Sequence, residues 1–223
     1  KSATVSNATF SGLVEAITGG AAGSVATLDT VTLNGGLNAD NKAGLVVELD
    51  TVTFANGGGT IDIEANATVR LISDLDTAGL TIKGAGQFDG GNFSISSTAL
   101  TLGAEDVDAN ISNVSITGGG TLALVEDAAG DSLNNVRFED VTILPVLDKV
   151  TEVALTFRDV NLLGGLTNSN SVSDADSPVT IEGTFDAANA SVAGKVQVKS
   201  ATVSNATFSG LVEAITGGAA GSV

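Results

Sequence analysis

Carboxylates are the groups in this sequence whose spacing could do chemistry. They cluster as Glu139-Asp140, Glu105-Asp106 with Asp108, Asp174 with Asp176, and Asp74 with Asp76. Paired carboxylates are what glycoside hydrolysis uses, one protonating the leaving oxygen and one activating water or attacking carbon. A second chemistry is the binding of a hard cation, because carboxylates and carbonyls are natural Ca²⁺ ligands. The segment GGGTID (57–62) begins like the Gly-Gly-x-Gly-x-Asp repeat of Ca²⁺-binding β-rolls, but Thr60 replaces the glycine of the fourth position and the motif occurs once. Asp62, Asp174 and Asp176 are the residues this leaves as Ca²⁺ candidates, and no other cofactor is expected. The chain has no histidine and no cysteine, so the Ser-His-Asp, Cys-His and thiolate–metal arrangements are excluded. Acidic runs of this kind are expected to be solvated loops that keep a surface soluble, and no catalytic residue is assigned. Six Asn-x-Ser/Thr sequons, at Asn7, Asn66, Asn92, Asn110, Asn113 and Asn189, are candidate glycan acceptors.

Whatever these groups do, the rest of the chain must hold them on a scaffold of unusual composition. Of 223 residues, 43% are hydrophobic, yet Trp, Tyr and Met are absent and all 8 aromatic residues are Phe. That supports a core, but an aliphatic one. The net charge of −17 argues against nucleic acid and anionic membrane as partners, since both call for clustered Lys and Arg. No apolar run reaches the roughly 18 residues of a membrane span. The absence of Met is what is expected of a processed or internal segment, and the absence of Cys is compatible with an extracellular repeat protein without calling for one.

Two-residue alternation dominates, as in TVTLNGG (30–36), TIDIEA (60–65), VRFEDVTI (136–143) and ALTFRDVNL (154–162). β-Branched residues alternate with polar ones, and Gly, Asn and Asp punctuate the runs, which are strand and turn signals. A finer pattern recurs: apolar, any, Asn/Thr/Asp, Val/Ala, any, apolar. It reads VSNATF (5–10), LDTVTL (28–33), LDTVTF (49–54), ISNVSI (111–116), LNNVRF (133–138), FRDVNL (157–162) and again VSNATF (203–208). With three looser segments it yields a series of inward markers: Phe10, Leu33, Phe54, Leu71, Phe88, Ile116, Phe138, Leu162, Phe185 and Phe208. Their mean separation is about 22 residues, the length of one coil of a β-solenoid. Three consecutive steps stand out, 17 residues from Phe54 to Leu71, 17 from Leu71 to Phe88 and 28 from Phe88 to Ile116.

The strand–Asn–strand–Gly pattern resembles the right-handed parallel β-helix superfamily of pectate-lyase-like enzymes and bacterial surface adhesins. The resemblance implies a stacked polar residue at the corner between two strands, a place that Asn7, Thr30, Thr51, Asn113, Asn135 and Asp159 would fill. The expected fold is therefore all-β, a parallel β-helix of about nine coils per repeat unit.

The unit itself is set by a duplication. Lys1–Val25 and Lys199–Val223 are identical over 25 residues, at an offset of 198. Residues 1–198 are expected to form one solenoid unit and 199–223 the first coil of the next, with Phe208 taking the place of Phe10 nine coils on. Nine coils at about 4.8 Å each span about 43 Å. These features predict a structural subunit of an extracellular filament or giant tandem-repeat surface protein, stacked head to tail on itself and bundled laterally by divalent cations. A β-helical adhesin that binds glycan or a cell surface is the alternative; a polysaccharide-active enzyme fits less well.

Overall fold

The computed structural model describes residues 2–17, 23–55, 58–104, 107–118, 121–125, 134–149, 153–168, 179–188 and 190–215. The described residues form strands and turns with no helix, and every strand pairs in parallel with the strand one coil away. The fold is a parallel β-solenoid with coils about 21 residues apart.

Each coil presents three faces. The first carries an eleven-strand path that begins with Ala3–Ser6, Val25–Asp29 and Leu45–Asp50 and ends with Val179–Asp186, Val196–Ser204 and Val212–Ala214. One register column runs up this face through Ala3, Ala26, Val47, Val69, Phe88, Ile111, Phe138, Phe157, Ile181, Val198 and Ala214. The third face is a ten-strand sheet from Val14–Ala16 to Thr207–Phe208. The second face starts as the short strands Thr9–Phe10, Thr32–Leu33 and Thr53–Phe54. From Ala109–Ile116 onward, first- and second-face strands run together through the corner, so Val153–Leu162 covers both.

The reason is local. In Leu45–Asp50, Leu45, Val47 and Leu49 are buried while Val46, Glu48 and Asp50 face outward, the two-residue period of a strand. A single coil cannot bury that inward row alone; its neighbours complete one aliphatic cylinder. Phe138 and Phe157 stack at 5.6 Å with 20° between planes, and Phe157 meets Phe185 at 5.7 Å.

The inward markers occupy more than one column. Leu71, Phe88 and Phe138 lie on the first face, and Phe10, Leu33, Phe54, Ile116, Leu162 and Phe185 on the second. Phe208 lies on the third. Two of the three irregular steps are changes of face: Phe54 to Leu71 goes from the second face to the first, and Phe88 to Ile116 from the first to the second, while Leu71 to Phe88 stays on the first face. Eight of the ten are buried, while Phe10 and Phe208 are half-buried against the core.

Candidate functional site

The corner between the first and second faces is where polar side chains meet the stack. A residue in the left-handed backbone region turns the strand there: Asn7 (φ 55°), Thr30 (55°), Thr51 (52°), Asn113 (50°), Asp140 (54°), Asp159 (54°) and Ser200 (49°). Asn and Asp tolerate this region because their short polar side chains bond locally, whereas a β-branched Thr is strained in it. Thr30 and Thr51 offset part of that strain by donating their hydroxyls to Asp29 and Asp50, at 2.8 and 3.1 Å.

Five of the six expected corner residues hold this position, and Asn135 does not. It lies inside the strand Asn134–Ile143, in register with Ala154, and its backbone amide donates to Asp108. Asp140 turns the corner of that coil instead. The sequence carried the signal, for FEDVTI (138–143) has the same pattern as FRDVNL (157–162) and pairs with it residue for residue, Phe138 with Phe157 and Val141 with Val160. LNNVRF matches the pattern too, but its Asn lies in the same strand ahead of the corner.

Carboxylates tie successive coils together at these corners. Ser94 donates from both its amide (2.8 Å) and its hydroxyl (2.9 Å) to Asp74, and these two bonds hold the Asp74 carboxyl below its ordinary range. Thr184 does the same for Asp159, at 2.8 and 3.0 Å, and Asp159 is lowered for the same reason. Asp186 accepts from the Ala188 amide at 2.7 Å and from Asn205 at 3.0 Å, which lower it. Partial burial alone would raise Asp89, but hydrogen bonds from Asn113 and Gly91 and the Arg70 guanidinium at 2.8 Å outweigh it and keep Asp89 below its ordinary value. In each case one coil supplies the acid and a neighbouring coil supplies a donor.

Gly183 shows how tightly the clamp closes. Gly183 and Thr184 together oppose Asp159, a one-residue bulge, and a Cβ on Gly183 would stand 2.4 Å from Asp159 Oδ1. With φ at +65°, the position calls for glycine twice over.

Outward side chains on the first face form a charge ladder. Glu48, Arg70, Asp89, Ser112, Glu139, Arg158, Glu182 and Lys199 follow one another in register. Ion pairs join Arg70 to Asp89, Arg158 to Glu139 at 3.5 Å and Lys199 to Glu182 at 3.0 Å, and Arg137 adds a second contact to Glu139 at 3.1 Å. The outward column of the second face runs Thr9, Thr32, Thr53 and, farther along, Ser94, Ser115, Thr142, Asn161, Asp186 and Ser204, with no cation.

Of the Ca²⁺ candidates, Asp62 is among the described residues. Asp62 lies on the third face with its carboxylate 2.9 Å from Lys83 Nζ, so a cation there would have to displace an ion pair. Asp174 and Asp176 lie outside the described residues, as do Glu105 and Asp106. No group of three metal-ligating side chains occurs among the described residues. A shallow cleft of about 370 Å³ is lined by Asn66, Thr68, Gln87 and Asn110, whose amides are largely engaged with neighbouring coils. Of the sequons, Asn7, Asn66, Asn92 and Asn113 all sit at left-handed bends. No family model, curated protein or solved structure matches the chain.

Proposed function

We propose that this chain is a structural unit of an extracellular filament or giant tandem-repeat surface protein, with a mechanical rather than catalytic role. The observation that carries the reading is the duplication. Residues 3–6, 9–10 and 14–16 form strands, and so do 201–204, 207–208 and 212–214, at the same 198-residue offset. A segment that folds alike at both places, on a scaffold whose coils join through parallel strand edges, suits end-to-end continuation of one solenoid. The parallel β-solenoid supports, by resemblance, a place beside the pectate-lyase-like β-helices and β-helical adhesins.

Head-to-tail continuation within one polypeptide is the preferred form. The test is the mass of the intact native polypeptide after denaturation. A mass of many units supports the array; separate chains of 21.9 kDa that do not form filaments under the electron microscope would overturn it.

Divalent cations serve lateral association in this reading. The net charge is −17, and Arg70, Lys83, Arg137, Arg158, Lys195 and Lys199 are each already paired with a carboxylate, so the surplus acids are left to other partners. Millimolar Ca²⁺ should raise turbidity and a chelator reverse it; no change would sink this part. Glycan binding is the second reading, favoured by the amide-lined cleft, and a glycan array tests it directly.

A further inference from the structure

The two copies of the duplicated segment do not occupy equivalent places on the solenoid. In the first copy Ala3–Ser6 lies on the first face, Thr9–Phe10 on the second and Val14–Ala16 on the third. In the second copy each strand has moved on by one face. Ala201–Ser204 pairs with Gly183–Asp186 on the second face, Thr207–Phe208 with Ser191–Val192 on the third, and Val212–Ala214 with Val196–Val198 on the first face of the next coil. The local form is unchanged: Asn7 has φ 55° and Asn205 has φ 49°, each bending the chain between the same two strands.

The cause is a count. Ala3 and Val198 stand in one register column nine coils apart, and the second copy of Ala3, Ala201, comes three residues later, beyond the corner at Ser200. The 198-residue unit is therefore nine coils plus one face. The last two coils are short, 17 residues from Ile181 to Val198 and 16 from Val198 to Ala214, against 27 from Ile111 to Phe138.

We infer that successive copies of the unit are related by a rotation of roughly one-third of a turn about the solenoid axis, not by translation alone. This rests on the tandem-array reading given above. Three units then close the pattern in 28 coils, about 130 Å at about 4.8 Å per coil. The consequence is chemical. The charge ladder through Arg70, Glu139, Arg158 and Glu182 and the Thr/Ser/Asn column through Thr9, Thr32 and Thr53 exchange directions from one unit to the next. Each side of the rod shows the charged, the hydroxyl-rich and the third-face surface in turn. Lateral contacts, whether through cations or with another surface, are thereby distributed to three directions, and any one contact recurs on one side every third unit.

The chain has no cysteine, so engineered disulfides read the phase cleanly. In the rotated arrangement Thr202 stands beside Thr184, whereas a translated copy would place it, like Thr4, on the first face beside Glu182. Adjacent parallel strands bring such pairs within disulfide reach. In the full chain, Thr184→Cys with Thr202→Cys should form a disulfide on mild oxidation, and Glu182→Cys with Thr202→Cys should not. The reverse result, or no disulfide in either pair, overturns the rotation. Helical reconstruction of native filaments gives the second test. A residual twist near one-third of a turn per unit is expected, and zero twist would overturn the rotation while leaving the filament intact. An absence of filaments counts against the array alone, because the disulfides still decide the phase within this chain.

Discussion

Residues 3–16 and 201–214 are the same letters twice, and the molecule treats them alike in one respect and differently in another. Strand ends at Ser6 and Ser204, the left-handed Asn and the packing of Val, Ala and Phe against the core are common to Val5, Ala8 and Phe10 and to Val203, Ala206 and Phe208. Neighbours are not. Phe10 stacks against Leu33 in the coil that follows it, and Phe208 against Val192 in the coil that precedes it, on another face. A short code of alternation and bend residues therefore specifies a strand–bend–strand element that fits any face. Which face it takes is decided by the number of residues in the coils between.

The largest test of this comparison sets a central coil against the two copies. Phe157 is fully buried and touches aromatic rings from the coils on either side, Phe138 and Phe185. Phe157→Ala should cost about 3–5 kcal/mol, read from the urea midpoint. Phe10 and Phe208 are half-buried, each with its register partner in one neighbouring coil, so Phe10→Ala and Phe208→Ala should each cost clearly less and nearly the same as one another. A large inequality between those two would mean that the copies are not equivalent as local elements.

Acid should act next. Asp89 is held low by Asn113, Gly91 and Arg70, and Asp74, Asp159 and Asp186 by donors from their own or neighbouring coils. A carboxylate with a depressed folded pKa adds stability that is present above its unfolded value, here 3.8, and is lost as pH falls through the folded value. Stability should thus be flat above about pH 5 and decline below about pH 4. Asp89→Asn removes the most buried of these acids and should cost about 1–3 kcal/mol at pH 7, with a shallower acid limb. Asp186 binds Asn205 of the second copy, so Asp186→Asn should loosen hydrogen exchange in residues 201–208 more than in 3–10. Equal loosening in both segments would break the link between Asp186 and the neighbouring coil that carries Asn205.

How much of this could be read beforehand follows the same division. The solenoid was legible because strands and bends are local: Leu45–Asp50 alternates, and ISNVSI turns at its Asn. The choice between Asn135 and Asp140 was not settled by pattern, because LNNVRF and FEDVTI both satisfy it and only the pairing of Phe138 with Phe157 decides. The face of Phe208 was not legible either, since it depends on the summed lengths of nine coils, and an error of three residues moves it round a corner. The aspartate clamps escaped notice for a related reason. Asp74 and Ser94 are 20 residues apart and meet only once the register is known.

Gly183 probes the corner from the side of space. Gly183→Ala adds a Cβ at 2.4 Å from the Asp159 carboxylate and puts an L side chain at φ +65°. The backbone term alone is about 1–2 kcal/mol, and the clamp on Thr184 should loosen with it. Ser200, one coil on at the same corner, holds φ 49° with a side chain already present, so Ser200→Ala should cost markedly less. Matching losses at the two sites would remove Asp159 from the explanation.

The smallest effect runs in the opposite direction. Both copies of the duplicated segment turn on Asn, at Asn7 and Asn205, while the coils that follow the first copy turn on Thr30 and Thr51 at nearly the same φ. A β-branched side chain pays more for that backbone than Asn does. Against this, the Thr51 hydroxyl reaches Asp50 at 3.1 Å, an exposed bond of little net worth. Strain should therefore win, and Thr51→Asn should stabilise the chain by up to about 1 kcal/mol. Asn7→Thr should lose a similar amount, as the same exchange made backwards. Thermal melts of the two variants test both signs at once. If Thr51→Asn lowers the midpoint, the hydroxyl–carboxylate contacts at Thr30 and Thr51 are worth more than the strain they accompany, and the corner column is held by its acids rather than by its bend residues.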